Sequence, residues 1–358
     1  MTELKKAGTA VAAVCKPKSK IESYLASREI PYSHLPSYSP SSLQSVRFLR
    51  MLVDRQGADV VHTHYHRDIW PASFALSREA ATKLFLSVYM GVGSKRDPWH
   101  RYIYRRVNGF FAPSDSLLHR LREAYPIPPE RVHLLPYGRN LDLFVRSLEK
   151  REAIRAKLGI GPAQMLVGTM IRIDPGKGVL DFVQSYQHLD DRAKSHVRYL
   201  VVGEPTRRGN VPPNESPFEP HCVDYLENIK SYIDRNALGG KIELVGFQED
   251  VVGYLSALDV FVFPSRDEMY SIAMLEAMAM SLPVVAAGAS GNLEQIESGV
   301  NGLLYEPANA SDLAARIMEY AAHPEVGSRH GAAARKFVED RHDMKKCVHQ
   351  LLEFYATL

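Results

Sequence analysis

Two glutamates eight positions apart, Glu268 and Glu276, stand in the most apolar part of this 358-residue chain, "RDEMYSIAMLEAMAM". A buried helix rarely holds an unpaired carboxylate, because taking the charge out of water is costly. The preceding "DVFVFPS" reads as a strand, "RDEMY" as its exit loop and "SIAMLEAMAM" as a helix that Ser271 can cap. Glu268 then lies in a loop at the carboxyl end of a strand, and Glu276 in the second turn of the helix. From those positions the two carboxylates can approach one ligand from different sides and accept hydrogen bonds from its hydroxyls.

A second stretch, "VGTMIRIDPGKGVLDFV", puts Arg172 and Lys177 in a loop between a strand and a helix that should start near Lys177. Open parallel sheets bind ligands at the carboxyl ends of their strands, and two cations at such a mouth suit a diphosphate. "GFQED" sets Gly246 and Phe247 at another strand exit, where an aromatic could receive a nucleobase. "VHTHYHRD" spaces His62, His64 and His66 by two, which puts them on one face if the strand continues, and zinc, an acceptor contact and structural hydrogen bonding are all open to them. His64, at the strand end, is the one expected to meet substrate. No Gly-x-Ser-x-Gly element is present for a Ser-His-Asp triad. Between residues 94 and 110, basic residues alternate with Trp99, Tyr102 and Tyr104, a pattern compatible with an anionic bilayer, with RNA, or with an ordinary packed helix.

The elements that must position these residues repeat along the chain. Short apolar or β-branched runs at 9–15, 58–64, 83–89, 109–114, 131–136, 164–170, 196–203, 241–247, 259–265, 282–288 and 302–306 alternate with helical patterns. Continuous apolar strands separated by helices mean parallel sheets covered on both faces, so the class is α/β. The length allows two domains. Residues 1–147 are expected to form the first and 148–335 the second, with a C-terminal helix over 336–358 that can cross back to the first. "TRRGNVPPNESPFEP" (206–220) reads as a surface excursion. The opening "MTELKKAGTAVAAVC" looks like the tail of a helix followed by a strand, so a first strand with its ligand-binding loop is expected to be missing.

Composition sets the remaining bounds. Cys15, Cys222 and Cys347 are far apart with no Cys-x-x-Cys pairing, which argues against a disulfide framework and a cysteine zinc site and fits a reducing compartment. No run of 18 apolar residues and no secretory signal pattern occurs, which points to the cytoplasm. Residues 1–147 hold 22 Lys and Arg against 12 Asp and Glu, a balance of +10; the remainder holds 22 against 29, a balance of −7. Such a split suits a first domain that faces something anionic, or two domains that attract each other.

Taken together, "RIDPGKG", "DVFVFPSRDE", the Glu-x7-Glu of Glu268 and Glu276, and "EAMAMSLPVVAAGASGNLEQIESGVNGLLYEP" resemble the retaining family 4 glycosyltransferases over about residues 56–340. The resemblance implies a GT-B fold: two Rossmann-like domains facing a central cleft, acceptor in the first and nucleotide-sugar in the second. It also implies that Arg172 and Lys177 hold the donor diphosphate, with Glu268 on the transferred sugar as the third catalytic residue. Glu276 would take the ribose hydroxyls and Phe247 would lie beside the base, with Met269, Tyr270 and Ser271 completing the donor site. His64 and Tyr89 are implied on the acceptor side. The implied partners are a nucleotide-sugar donor and a glycan or lipid-linked acceptor in cell-envelope or polysaccharide biosynthesis; the basic first domain, for its part, allows peripheral attachment to an anionic membrane surface at its inner face. No cofactor, no obligatory metal and no nucleic acid is expected.

The chain departs from the family pattern in two further places. Met269, Tyr270 and Ser271 stand where the family has glycine near the helix start, and Tyr89 approximately where it has histidine. Two competing readings follow: a nucleotide-sugar-binding protein without catalysis, and a sugar-nucleotide epimerase of similar fold, which would need acid and base groups not recognisable here.

Overall fold

The computed structural model describes residues 1–39, 42–76, 81–90, 93–209, 211 and 215–358. It divides into two compact units, one comprising 1–138 with 344–358 and the other comprising 139–343.

The second unit is built on six parallel strands: β7 (Met165–Met170), β8 (Val197–Val202), β9 (Ile242–Leu244), β10 (Val260–Phe263), β11 (Val284–Ala287) and β12 (Leu303–Tyr305), where β1–β6 belong to the first unit. Their order is β12-β11-β10-β7-β8-β9. All residues of β10 and β11 are buried, as expected for strands covered on both faces. Tyr199 and Phe182, whose rings stack 4.4 Å apart, belong to a core that also takes in Val167, Val262, Val285 and Ile317. The chain builds outward from β7 through β8 and β9, then returns to lay β10 on the other side of β7, with Val260 opposite Val167. That reversal parts the loops that leave β7 and β10 and opens a crevice at the carboxyl ends of the strands.

The first unit carries β3 (Val60–Thr63), β4 (Lys83–Ser87), β5 (Gly109–Ala112) and β6 (Val132–Leu134) in sequential parallel order. A separate parallel pair, β1 (Ala13–Cys15) and β2 (Tyr32–His34), flanks the helix Lys20–Ser27 around Cys15, Leu25 and Ile30. β2 is the strand that sequence reading misses, since Tyr-Ser-His is polar and mostly exposed and has no apolar run to announce it. The last helix, Met344–Thr357, belongs to this unit: Tyr355 Oη lies 2.5 Å from His62 Nδ1, Lys83 Nζ donates to the Tyr355 carbonyl at 2.9 Å, and Phe354 packs on Phe111.

The division differs in position from the expected changes at 147/148 and 335/336. Residues 139–147 pack within the second unit, because Arg146 donates to the Leu258 carbonyl at 2.7 Å and Arg335 to the Phe144 carbonyl at 2.9 Å. The helix Pro324–Arg341 stays with that unit as well.

Candidate functional site

The loops that leave β7 and β10 meet at the reversal of strand order. After β7, Asp174 Oδ1 accepts from Gly176 N at 3.0 Å and turns Pro175–Lys177 into a single 3-10 turn. The following helix, Val179–Ser185, therefore starts two residues later than the sequence suggests. Gly178 joins the two at φ +67°, and a Cβ there would sit 2.2 Å from the Pro264 carbonyl oxygen. Only glycine combines that backbone with that approach. The result is an ion pair across the crevice: Lys177 Nζ lies 2.8 Å from Glu268 Oε2 and 3.2 Å from the Asp267 carbonyl. The two side chains are only 13% and 26% exposed, so their attraction is less screened than that of a surface pair. Arg172, on the same exit loop, is exposed.

The Glu268 loop is held from below by the segment after β11. Gly291 N donates to the Glu268 carbonyl at 2.9 Å, and a Cβ at Gly291 would collide with the Met269 carbonyl at 2.1 Å. Buried Asn292 donates to the carbonyls of Ser265 and Ala287, each at 2.9 Å. Buried Gln295 accepts from Ser271 N at 2.7 Å and donates to the Ser271 carbonyl at 3.0 Å. Sequence reasoning passed over Gly291, Asn292 and Gln295. The available signal was a pair of amides at spacing three beside apolar strands, where buried polar groups need partners.

Ser271 caps the helix Ile272–Ala279, its hydroxyl accepting from Met274 N at 3.1 Å, as its residue type predicts. Met274, Leu275, Ala277, Met278 and Ala279 are buried, whereas Glu276 is half-buried. Burial pushes the Glu276 carboxyl above its ordinary pKa, and the Arg139 guanidinium partly offsets this. Tyr270 is turned into the unit, its hydroxyl 2.8 Å from His342 Nε2. The hydroxyls of Tyr270 and Ser271 thus hold the loop, and Met269 lies between them and Glu268. Phe247, just past β9 and after Gly246 at φ +69°, is 55% exposed at the same end of the sheet.

In the first unit the rings of His62 and His64 stack 4.4 Å apart, while His66 turns away to Tyr125. His62 is bonded through both ring nitrogens, to Tyr355 Oη at 2.5 Å and Ser87 Oγ at 2.9 Å. His64 Nδ1 lies 2.6 Å from Tyr89 Oη, with the rings nearly parallel, and His66 Nε2 lies 3.1 Å from Tyr125 Oη. Loss of hydration lowers the pKa of His62 and His64 and raises that of Tyr89, so neutral rings and a protonated phenol prevail near neutral pH. His64 and Tyr89 are therefore brought together, but the three histidines are not gathered into a metal-ligand group among the described residues. In the basic segment, Tyr104 is buried and Arg106 turns inward to the Leu76 carbonyl at 3.2 Å, while Trp99 and Tyr102 remain 65% and 47% exposed. Among the described residues no helix is long and apolar enough to cross a membrane.

Comparison with known proteins bears on both units. Residues 150–337 match the family model described as glycosyl transferases group 1, and residues 1–143 match that of glycosyltransferase family 4. The lipopolysaccharide core biosynthesis mannosyltransferase LpsB of Rhizobium meliloti is 28% identical over 301 residues, covering 82% of this chain and 79% of that protein. The D-inositol 3-phosphate glycosyltransferase of Geodermatophilus obscurus is 27% identical over 301 residues, covering 77% of this chain but 63% of its own length. Among solved structures, a glycosyltransferase from Rickettsia africae superposes with a TM-score of 0.83 at 20% identity, covering 99% of this chain and 91% of that one. Anabaena HepE in complex with UDP and glucose gives a TM-score of 0.80 at 20% identity, covering 100% and 94%. The expected α/β architecture with two Rossmann-like units, the GT-B fold, is the one these structures share.

Proposed function

This chain belongs to the group 1 glycosyl transferases, and from that premise we propose that it transfers a sugar from a nucleoside diphosphate donor to a glycan or lipid-linked acceptor, with retention of anomeric configuration. The observation that carries the reading is the Lys177–Glu268 ion pair at the reversal of strand order, 2.8 Å long and partly buried.

In the free protein Glu268 neutralises Lys177. An arriving diphosphate offers the lysine a stronger anionic partner, and Arg172 on the same loop adds a second positive charge. Charge that accumulates on the leaving nucleotide is then met by cations already in position. Glu268, released from the lysine, is free to accept hydrogen bonds from the transferred sugar. Glu276, half-buried and short of hydration, gains from the ribose hydroxyls the donors that water no longer supplies. Phe247 offers an apolar face to the base. Nothing in this scheme calls for a metal to bridge the phosphates. His64 and Tyr89 belong to the acceptor side, where a neutral imidazole hydrogen-bonded to a phenol suits sugar hydroxyls. HepE in complex with UDP makes UDP the first donor nucleotide to try.

Calorimetric titration of the full chain with UDP, GDP and ADP, in the presence of EDTA, tests the reading. One nucleotide should bind saturably. Lys177→Ala should weaken it by the equivalent of one charge-assisted hydrogen bond, about 1.5–3 kcal/mol or roughly 10- to 150-fold. Glu268→Gln should leave UDP affinity intact or raise it, while abolishing transfer from the sugar nucleotide. Unchanged affinity in Lys177→Ala would remove the site. Saturable binding with no turnover in an acceptor screen would favour the non-catalytic reading instead.

A further inference from the structure

Asp174, which caps the turn carrying Lys177, uses only one of its carboxylate oxygens for that purpose. The other, Oδ2, faces the first turn of the helix Pro220–Arg235, where it lies 3.5 Å from Cys222 Sγ and 3.2 Å from Thr206 Oγ1. Cys222 Sγ is in turn 3.3 Å from His221 Nε2. One ligand atom from each of Asp174, His221 and Cys222 falls within 4.8 Å of the others, the single such group of three found among the described residues.

We propose that Asp174, His221 and Cys222 form a binding site for a zinc-type transition-metal cation, separate from the donor site, which clamps the exit of β7 to the helix Pro220–Arg235. Two features support it. The donor set, one sulfur, one imidazole nitrogen and one carboxylate oxygen, is one that zinc accepts and that calcium and magnesium do not favour. The spacing is right: with bonds of about 2.3 Å to sulfur and about 2.0–2.2 Å to nitrogen and oxygen, the corners of a tetrahedron lie roughly 3.3–3.7 Å apart. Edges at sulfur are the longer ones, about 3.5–3.7 Å; the 3.5 Å from Cys222 Sγ to Asp174 Oδ2 matches, and the 3.3 Å to His221 Nε2 opens by about 0.2 Å. The third edge, from Asp174 to His221, lies within 4.8 Å, and His221, exposed at the surface, adjusts it by turning its ring.

The framework around the site is already connected. Ile173 and Pro205 continue the pairing of β7 with β8 beyond the strands, and Glu219 N donates to the Thr206 carbonyl at 2.8 Å. Asp174 and the helix are thus held by backbone before any ion arrives. The Thr206 hydroxyl or a water completes four-coordination, and the exposed side of His221 gives the ion its entry path. Spacing along the chain conceals the group, because Asp174 and Cys222 are 48 residues apart and no Cys-x-x-Cys pattern marks them.

Cobalt(II) titration of the metal-stripped full-length chain, read by absorption, tests the proposal without reference to glycosyl transfer or to nucleotide binding. One equivalent should bind, with a tetrahedral visible spectrum and a thiolate-to-cobalt charge-transfer band, and zinc should displace it. Cys222→Ser should abolish the band. Cys15→Ser and Cys347→Ser should keep it. His221→Ala alters an exposed side chain and so leaves the fold intact; it should weaken zinc by more than the roughly 10–100-fold that loss of an outer-shell partner costs. A cluster joined by hydrogen bonds alone predicts no thiolate band at one equivalent, and that result overturns the proposal. Equal zinc affinity in wild type, His221→Ala and Cys222→Ser overturns it too, because the ion would then sit elsewhere.

Discussion

Replacing Gly178 by alanine tests whether the approach of the β7 and β10 exit loops organises the second unit. The position has φ +67°, and the added methyl would lie 2.2 Å from the Pro264 carbonyl oxygen. A close carbon–oxygen contact lies near 3.3–3.6 Å, so the loops must part by about 1 Å. The left-handed backbone alone costs a side chain roughly 1–2 kcal/mol. Forcing extra volume into a packed place adds about 1–3 kcal/mol, for a total near 2–5 kcal/mol. Gly159 is the internal control: its φ is +65°, and no atom lies within 4 Å of its added methyl. Gly159→Ala should therefore show the backbone cost alone.

Urea unfolding followed by far-ultraviolet circular dichroism reads both variants. Tryptophan fluorescence reports the other unit, since Trp70 and Trp99 both lie in 1–138; its transition should not move. The same parting displaces Lys177 from Glu268, and misplacement by about 1 Å can cost on the order of 100-fold in a positioned reaction. Gly178→Ala should accordingly lose UDP binding and transfer while the protein remains folded. If Gly178→Ala proves no less stable than Gly159→Ala, the loops are not in the contact described and the reasoning fails.

Two further outcomes follow from the titrating groups. The folded-state pKa of Glu276 is raised by burial, so at neutral pH its ionised form costs stability, and the cost is relieved as the pH falls toward that folded value. Glu276→Gln should thus stabilise the second unit at neutral pH, lose that advantage in acid and weaken UDP; a destabilised variant that binds UDP normally contradicts both halves. His62 is held neutral with both ring nitrogens bonded and its pKa depressed, so the unfolded chain takes up a proton below about pH 6.5 that the folded chain refuses. The first unit should therefore lose stability on acidification from about pH 7 to pH 5, by tryptophan fluorescence, and His62→Asn should flatten that dependence; an identical slope in both proteins would assign the loss to other groups.

Of the twelve strands among the described residues, eleven announce themselves as apolar runs, because a strand covered on both faces has no reason to alternate. β2 does not, since it is exposed and takes its course from pairing with β1. The Ser271 cap and the loop position of Glu268 were also legible, being set by residue type and by where an apolar run stops. These properties are local: burial, capping and turning are written into neighbouring residues. What only the tertiary structure decided is which distant groups meet. Lys177 reaches Glu268 across 91 positions because β10 pairs with β7 and because a glycine without Cβ lets the loops touch. Asn292 and Gln295 find the carbonyls they hold, and Asp174 finds Cys222, by the same route. Strand order and close backbone approach place such partners, and neither leaves a periodic trace in the chain.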